Sequence, residues 1–124
     1  MRDFKELHFW KKSIDMAKDI YELTKSFPHE EKFGIISQIR RSVVSISTNI
    51  SEGCGRETTK DFKNFLNISM GSVKETENLL HLSRELGYIN LTDFNALNQK
   101  LIEIAKMLNG FIKNLKESEI NATN

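Results

Sequence analysis

From Phe94 to Leu115 the apolar residues return at alternating steps of three and four: Phe94, Leu97, Leu101, Ile104, Leu108, Phe111 and Leu115. That stepping puts all seven along one side of an α-helix and fits no strand. The same pattern recurs earlier in the chain. Ile36, Ile39, Val43, Ile46 and Ile50 carry it in the middle. Phe62, Phe65 or Leu66, Ser69, Val73, Thr76, Leu80 and Ser83 carry it afterwards. Near the start there are two parallel seams. One is Leu7, Trp10, Ile14, Ala17, Tyr21 and Thr24; the other is Phe9, Met16, Ile20, Leu23 and Phe27.

Punctuation divides these runs into four helices. The first spans Glu6 to Ser26 and stops before the only proline, Pro28, which disfavours helix at Phe27 and suits the first turn of a new one. A second helix is expected from Pro28 to Gly53, with Glu30 and Glu31 near its positive N-terminus and Gly53 and Gly55 ending it. Ser-Val-Val-Ser-Ile-Ser at 42–47 has strand propensity, yet the helical stepping continues on both sides of it. Thr58 is the expected N-cap of the third helix, with Asp61 in the capping-box position, and Leu86-Gly87 ends it. Gly71 and Ser72 lack bulk at mid-helix, which suggests close approach by a neighbour. Asn90 or Thr92 opens the fourth. The fold class is all-α, an antiparallel up-down-up-down four-helix bundle. It is expected as one domain over residues 1–116, with a polar, frayed tail at 117–124.

The composition excludes several function classes. Net charge is +1 with 28% charged residues, which describes neither a polybasic nor an acidic chain, although setting aside Glu117 and Glu119 in the tail leaves a mild basic lean. A single cysteine excludes an internal disulfide framework and a cysteine-built zinc site. No signal-type or membrane-spanning apolar run is present, so the expected compartment is the cytoplasm, and the four Asn-x-Ser/Thr matches are taken as chance.

Helix bundles can host paired metals, which requires Glu-x-x-His on two helices. His8, His29 and His81 do not follow glutamate at that spacing; Glu77 and His81 are four apart, so no metal or other cofactor is expected. Cys54 has Arg56 nearby, which can lower a thiol pKa, but no adjacent histidine base. Gly53-Cys54-Gly55-Arg56 lacks the lysine and spacing of a phosphate loop. The chain is read as non-enzymatic, with no catalytic residues.

Two polar sets remain. Asn49, Glu52 and Arg56 follow one another at helical spacing. They form either a surface ion pair or, together with Glu75, a partly buried network that fixes helix register. Arg40, Arg41, Arg56, Lys60 and Lys63 gather around the second helix and its exit, and Lys11, Lys12 and Lys18 lie on the first. Such cations can neutralise phosphates without reading sequence, although aromatic interleaving is not evident and Glu57 and Asp61 dilute the set. A solvated helix face is the plainer account of them. The second seam of helix one is too apolar to leave in water. Phe9, Met16, Ile20, Leu23 and Phe27 are therefore the candidate oligomer interface, the competing explanation being a longer face buried within the bundle itself.

Several phrases together resemble one bacterial family. They are Trp10-Lys11, Phe27-Pro28 with Glu31, Ser37-Gln38-Ile39-Arg40-Arg41-Ser42, Ser45-Ile46, Asn49-Ile50-Ser51-Glu52-Gly53, Gly71-Ser72 with Glu75, and Leu86-Gly87-Tyr88. The family comprises four-helix-bundle proteins encoded by intervening sequences in 23S rRNA genes. It is similar in turn to the accessory variability determinant of diversity-generating retroelements. The resemblance covers about residues 4 to 115. It implies a homopentameric, barrel-like ring with a basic surface and no enzymatic activity. In the retroelement relatives that surface is associated with nucleic acid and a reverse transcriptase. By position, Arg40, Arg41, Asn49, Glu52, Gly53 and Glu75 match the family pattern. Relatives often carry proline where this chain has Ser47, and alanine where it has Ser51. The expected function is nucleic-acid binding, RNA or DNA, by a homo-oligomer. The alternative is a protein-binding scaffold or accessory subunit for a partner such as a reverse transcriptase.

Overall fold

The computed structural model describes the backbone of residues 2–123 and the side chains of residues 2–115. Four helices account for most of it: α1 (His8–Thr24), α2 (Ile35–Cys54), α3 (Thr59–Glu85) and α4 (Leu91–Thr123). Short 3-10 segments at Phe4–Glu6 and His29–Glu31 precede α1 and α2. Among the described residues each long helix touches only its two neighbours, in the cyclic order α1, α2, α3, α4, and no diagonal pair meets. Cross-helix pairs give the directions. Lys12 meets Glu103 and Lys100 meets Asp19, so α1 and α4 run oppositely. Ser42 meets Thr76 and the Ile46 carbonyl meets Ser69, so α2 and α3 do too. Phe62 meets Phe111 and His81 meets Phe94, which sets α3 against α4. The all-α, antiparallel four-helix bundle expected from periodicity is what the chain forms.

Helices α3 and α4 open on side-chain caps, whereas α1 and α2 do not. Thr58 accepts the Asp61 N–H, and Asn90 accepts the Asp93 N–H at 2.8 Å. After α3, Gly87 adopts φ +79°, the left-handed conformation that spares glycine its Cβ clash, while the Tyr88 N–H reaches the Ser83 carbonyl. The start of α2 is the correction. Pro28 is extended at ψ 136°, a single 3-10 turn follows, and helix begins only at Ile35 with Gly34 as N-cap. A proline that favours a first helical turn does so only if its own ψ is helical. At the other end α2 runs through Gly53 to Cys54 and is capped by Gly55. It passes Ser47 without interruption.

The core is continuous. Met16, Ile20, Ile39, Val43, Ile46, Ile50, Leu66, Leu80, Leu101, Ile104 and Leu108 are all at most 1% exposed. Burying each such side chain contributes about 1.5–3 kcal/mol. Phe9, Phe62 and Phe111 close one end through ring contacts, with the Arg2 guanidinium over the last two. This core contains the residues expected at a subunit interface. Phe9, Met16, Ile20 and Phe27 are buried within the chain's own bundle, and Leu23 packs partly buried against them. The broad apolar face of α1 serves two neighbouring helices, α2 and α4, which explains its two seams without a second copy.

Small residues bring α2 and α3 together over the most extensive contact in the molecule. Gly53 is one of them: a Cβ there would lie 2.9 Å from Phe65 Cβ and 3.0 Å from Phe62 Cδ1. Gly71, expected to mark a close approach, faces open space instead. The polar tail expected at 117–124 has its side chains outside the described residues.

Candidate nucleic-acid interface

The last turn of α1 and the first half of α2 meet through one arginine. Arg40 donates from Nε to Thr24 Oγ1 at 2.8 Å and from Nη2 to the Tyr21 carbonyl at 3.3 Å. Carbonyls at a helix C-terminus lack intrahelical donors and carry the negative end of the dipole, so a cation belongs there. The same guanidinium lies 4.6 Å from the Tyr21 ring centroid, within cation–π reach. Arg40 is therefore half-buried and held in place, with its Nη1 hydrogens still unused by the described residues.

Beside it the surface opens into a groove of about 600 Å³. Its walls are Tyr21 of α1, Lys32 and Phe33 of the turn before α2, and Ile36, Ser37, Arg40, Arg41, Val44, Ser45 and Thr48 of α2. Three cations and no acid line it. Phe33 is 89% exposed, the most exposed large apolar residue described, and the Lys32 ammonium lies 5.5 Å from its ring centroid. Tyr21 is 42% exposed. Aromatic interleaving, which the sequence did not display, is thus present in space. Gly34 turns the chain between Phe33 and α2, and Tyr21 arrives from another helix.

The remaining predicted cations do not join this groove. Arg56 lies just past the far end of α2, whose last residue is about 20 Å along the axis from Arg41 at 1.5 Å per residue. It faces Glu52 at 3.6 Å and lies over the Phe65 ring. Lys60 is exposed and Lys63 half-buried in the first turns of α3. On α1, Lys12 faces Glu103 at 3.6 Å, while Lys11 and Lys18 are exposed. One expected basic set therefore resolves into three places, and only Arg40 and Arg41 share a groove with aromatic rings.

Of the two readings of Asn49, Glu52 and Arg56, the surface ion pair is the one the structure shows, and the buried network with Glu75 does not form. Glu52 forms an exposed ion pair with Arg56, and Glu75 lines a shallow polar notch with Gln38, Arg41, Ser42 and Ser45. Neither carboxylate fixes register, since both are exposed. Hydroxyls do that instead. Ser42 and Thr76 lie 2.8 Å apart, Ser45 and Ser72 lie 2.8 Å apart, and Ser69 donates to the Ile46 carbonyl at 2.8 Å. Asn49 belongs to this ladder through Nδ2, which donates to Ser45 Oγ at 2.9 Å. The signal was present in the sequence as Ser42, Ser45, Ser69 and Thr76 at helical spacing, but their pairing needs the helices placed.

Cys54 is buried, and burial pushes its thiol above the usual value despite the nearby Arg2 guanidinium. The expected influence of Arg56 on that thiol does not operate; desolvation outweighs the neighbouring charges. Among the described residues no three histidine, cysteine or acidic side chains converge as a metal cluster, and no helix is long and apolar enough to cross a membrane.

No curated protein matches this chain. A solved structure does: a protein of unknown function from the S23 ribosomal protein family of Bacteroides thetaiotaomicron. It is 34% identical, with a TM-score of 0.79, over 85% of this chain and 98% of that one. Residues 5–110 match the family model described as 23S rRNA-intervening sequence protein. With that match spanning most of the bundle, this chain belongs to the 23S rRNA-intervening sequence protein family.

Proposed function

We propose that this protein is a non-enzymatic homo-oligomer that binds nucleic acid, RNA or DNA, through its phosphates and with little sequence preference. The observation that carries the reading is the acid-free groove with Lys32, Arg40 and Arg41 in its walls. Cations that release counterions from a phosphate backbone supply affinity without base recognition. Arg40 is already held by two hydrogen bonds, so little side-chain freedom is lost when it meets an anion.

Support for self-association lies away from α1's inner seam. Ile68, Leu82, Leu86 and Leu91 are exposed, and Leu82 stands one turn before Leu86, the C-cap of α3. A second copy covering them would remove this apolar surface from water, and the family resemblance suggests five copies. Light scattering tests this part; a species of 14.3 kDa at micromolar concentration would rule it out.

The binding part is tested by a salt series with a labelled oligonucleotide. Affinity should fall steeply with ionic strength, and Arg41→Ala should reduce the slope of log affinity against log salt by about 1. Affinity indifferent to salt would refute it. A polypeptide partner retained after nuclease treatment, with no affinity for oligonucleotides, would move the assignment to a protein-binding scaffold such as an accessory subunit of a reverse transcriptase.

A further inference from the structure

We infer that the nucleic acid taken by this groove is single-stranded, and that an unpaired base stacks on the ring of Phe33. This inference rests on the proposed nucleic-acid binding and adds a selectivity to it.

Phe33 is 89% exposed in a chain whose core buries Phe9, Phe27, Phe62 and Phe94 almost completely. It contributes nothing to the core and sits one residue before the cap of a long helix. Among the described residues its only ring or cation neighbour is Lys32, whose ammonium lies over it at 5.5 Å. Across the groove the Arg40 guanidinium stacks on Tyr21, and two hydrogen bonds fix its plane. Flat π surfaces between positive charges suit a strand whose bases are free to turn outward. A duplex keeps its base faces covered and offers such a groove only phosphates.

Charge argues for this occupant over a second copy of the chain. All three ionisable side chains in the walls other than Tyr21 are cations, so two such grooves brought face to face would repel. A polyanion with aromatic faces complements both features.

The test compares a fluorescein-labelled oligothymidylate with a labelled duplex of equal length, binding to the full-length protein and to Phe33→Ala, Phe33→Trp and Arg41→Ala. Phe33 is so exposed that its replacement leaves the fold intact, which a melting curve verifies. The wild type should prefer the single strand. Phe33→Ala should lose roughly 5- to 150-fold in single-strand affinity, the range for one base stacked on an aromatic ring, with an unchanged salt slope. Phe33→Trp should restore the affinity. Arg41→Ala should weaken both probes and flatten both salt slopes. If the protein binds both probes equally, or Phe33→Ala binds the single strand as the wild type does, the stacking inference fails while the phosphate-binding reading survives. Failure to bind either probe removes both. A Phe33→Ala protein with reduced mass in solution and unchanged binding would overturn the inference in favour of a self-contact.

Discussion

Arg40 of α2 donates its Nε hydrogen to Thr24 of α1 at 2.8 Å, while its neighbour Arg41 forms no hydrogen bond or ion pair among the described residues. Two adjacent arginines thus have different work, and their variants should separate. Arg40→Ala removes bonds to Thr24 and the Tyr21 carbonyl and should cost about 1.5–3 kcal/mol in urea unfolding, the range for hydrogen bonds involving a charged group. Arg41→Ala should stay within about 0.5 kcal/mol of wild type. Equal losses from the two would mean that Arg40 is not the clasp between α1 and α2.

Two glycines should respond to alanine with opposite signs. At Gly53 the new methyl would meet Phe65 Cβ at 2.9 Å, and neither Phe65 nor Phe62 can retreat without disturbing the α2–α3 contact. Overpacking of about 1–3 kcal/mol exceeds the gain of up to ~1 kcal/mol in helix propensity, so Gly53→Ala lowers the melting temperature. Gly71 faces open space in mid-helix, and Gly71→Ala should raise stability by about 0.5–1 kcal/mol. Thermal unfolding of the two variants checks both signs.

How much of this was legible depended on how local each feature is. The α4 seam is a single-helix property and reads directly as sequence. The Thr58 cap and the Gly87 stop are equally local. Helix α2 opens at Ile35 rather than at Pro28 because Pro28 is extended and Gly34 turns the chain first, a backbone choice that the residue types Pro28, Glu30 and Glu31 do not settle. Phe33 falls inside the stretch expected as helix, and its exposure follows only from the turn at Gly34. The α1 seam Phe9 to Phe27 read as surplus because its two partners, α2 and α4, come later in the chain. Tyr21 and Arg40 are nineteen residues apart, and their stacking follows only from helix packing.

The hydroxyl ladder between α2 and α3 should behave as coupled pairs. Thr76 Oγ1 lies 2.8 Å from Ser42 Oγ and 2.8 Å from the Ser72 carbonyl, in a fully buried position. Thr76→Val removes the bond to Ser42 while the Ser42 hydroxyl keeps its 3.1 Å bond to the Ile39 carbonyl, and should cost about 0.5–1.5 kcal/mol. Adding Ser42→Ala should cost less than the sum of the two single losses, with a coupling of at least about 0.5 kcal/mol in a double-mutant cycle. Strict additivity would show that the pair does not interact.

Tyr88 ties the α3–α4 turn to the segment that bears Phe33. Its hydroxyl donates to Glu31 Oε2 at 2.9 Å, and this bond to a carboxylate raises the phenol's pKa above 10.0. A folded-state pKa above the unfolded one contributes stability that is complete below the unfolded value and lost as pH rises through the folded one. Lys100, raised by its bond to Asp19, loses its contribution in the same direction. The difference in urea midpoint between wild type and Tyr88→Phe isolates the tyrosine. It should be constant below about pH 9.5 and shrink at higher pH. A difference that grows on the alkaline side would reverse the assignment.

Where the ligand sits is the direct question. An NMR titration of isotopically labelled protein with oligothymidylate locates it. Binding at the groove should move the amide signals of Tyr21, Lys32, Phe33, Arg41, Val44 and Thr48 together. Shifts confined to Lys11, Lys18 or Lys60, or no shift at all, would contradict the account.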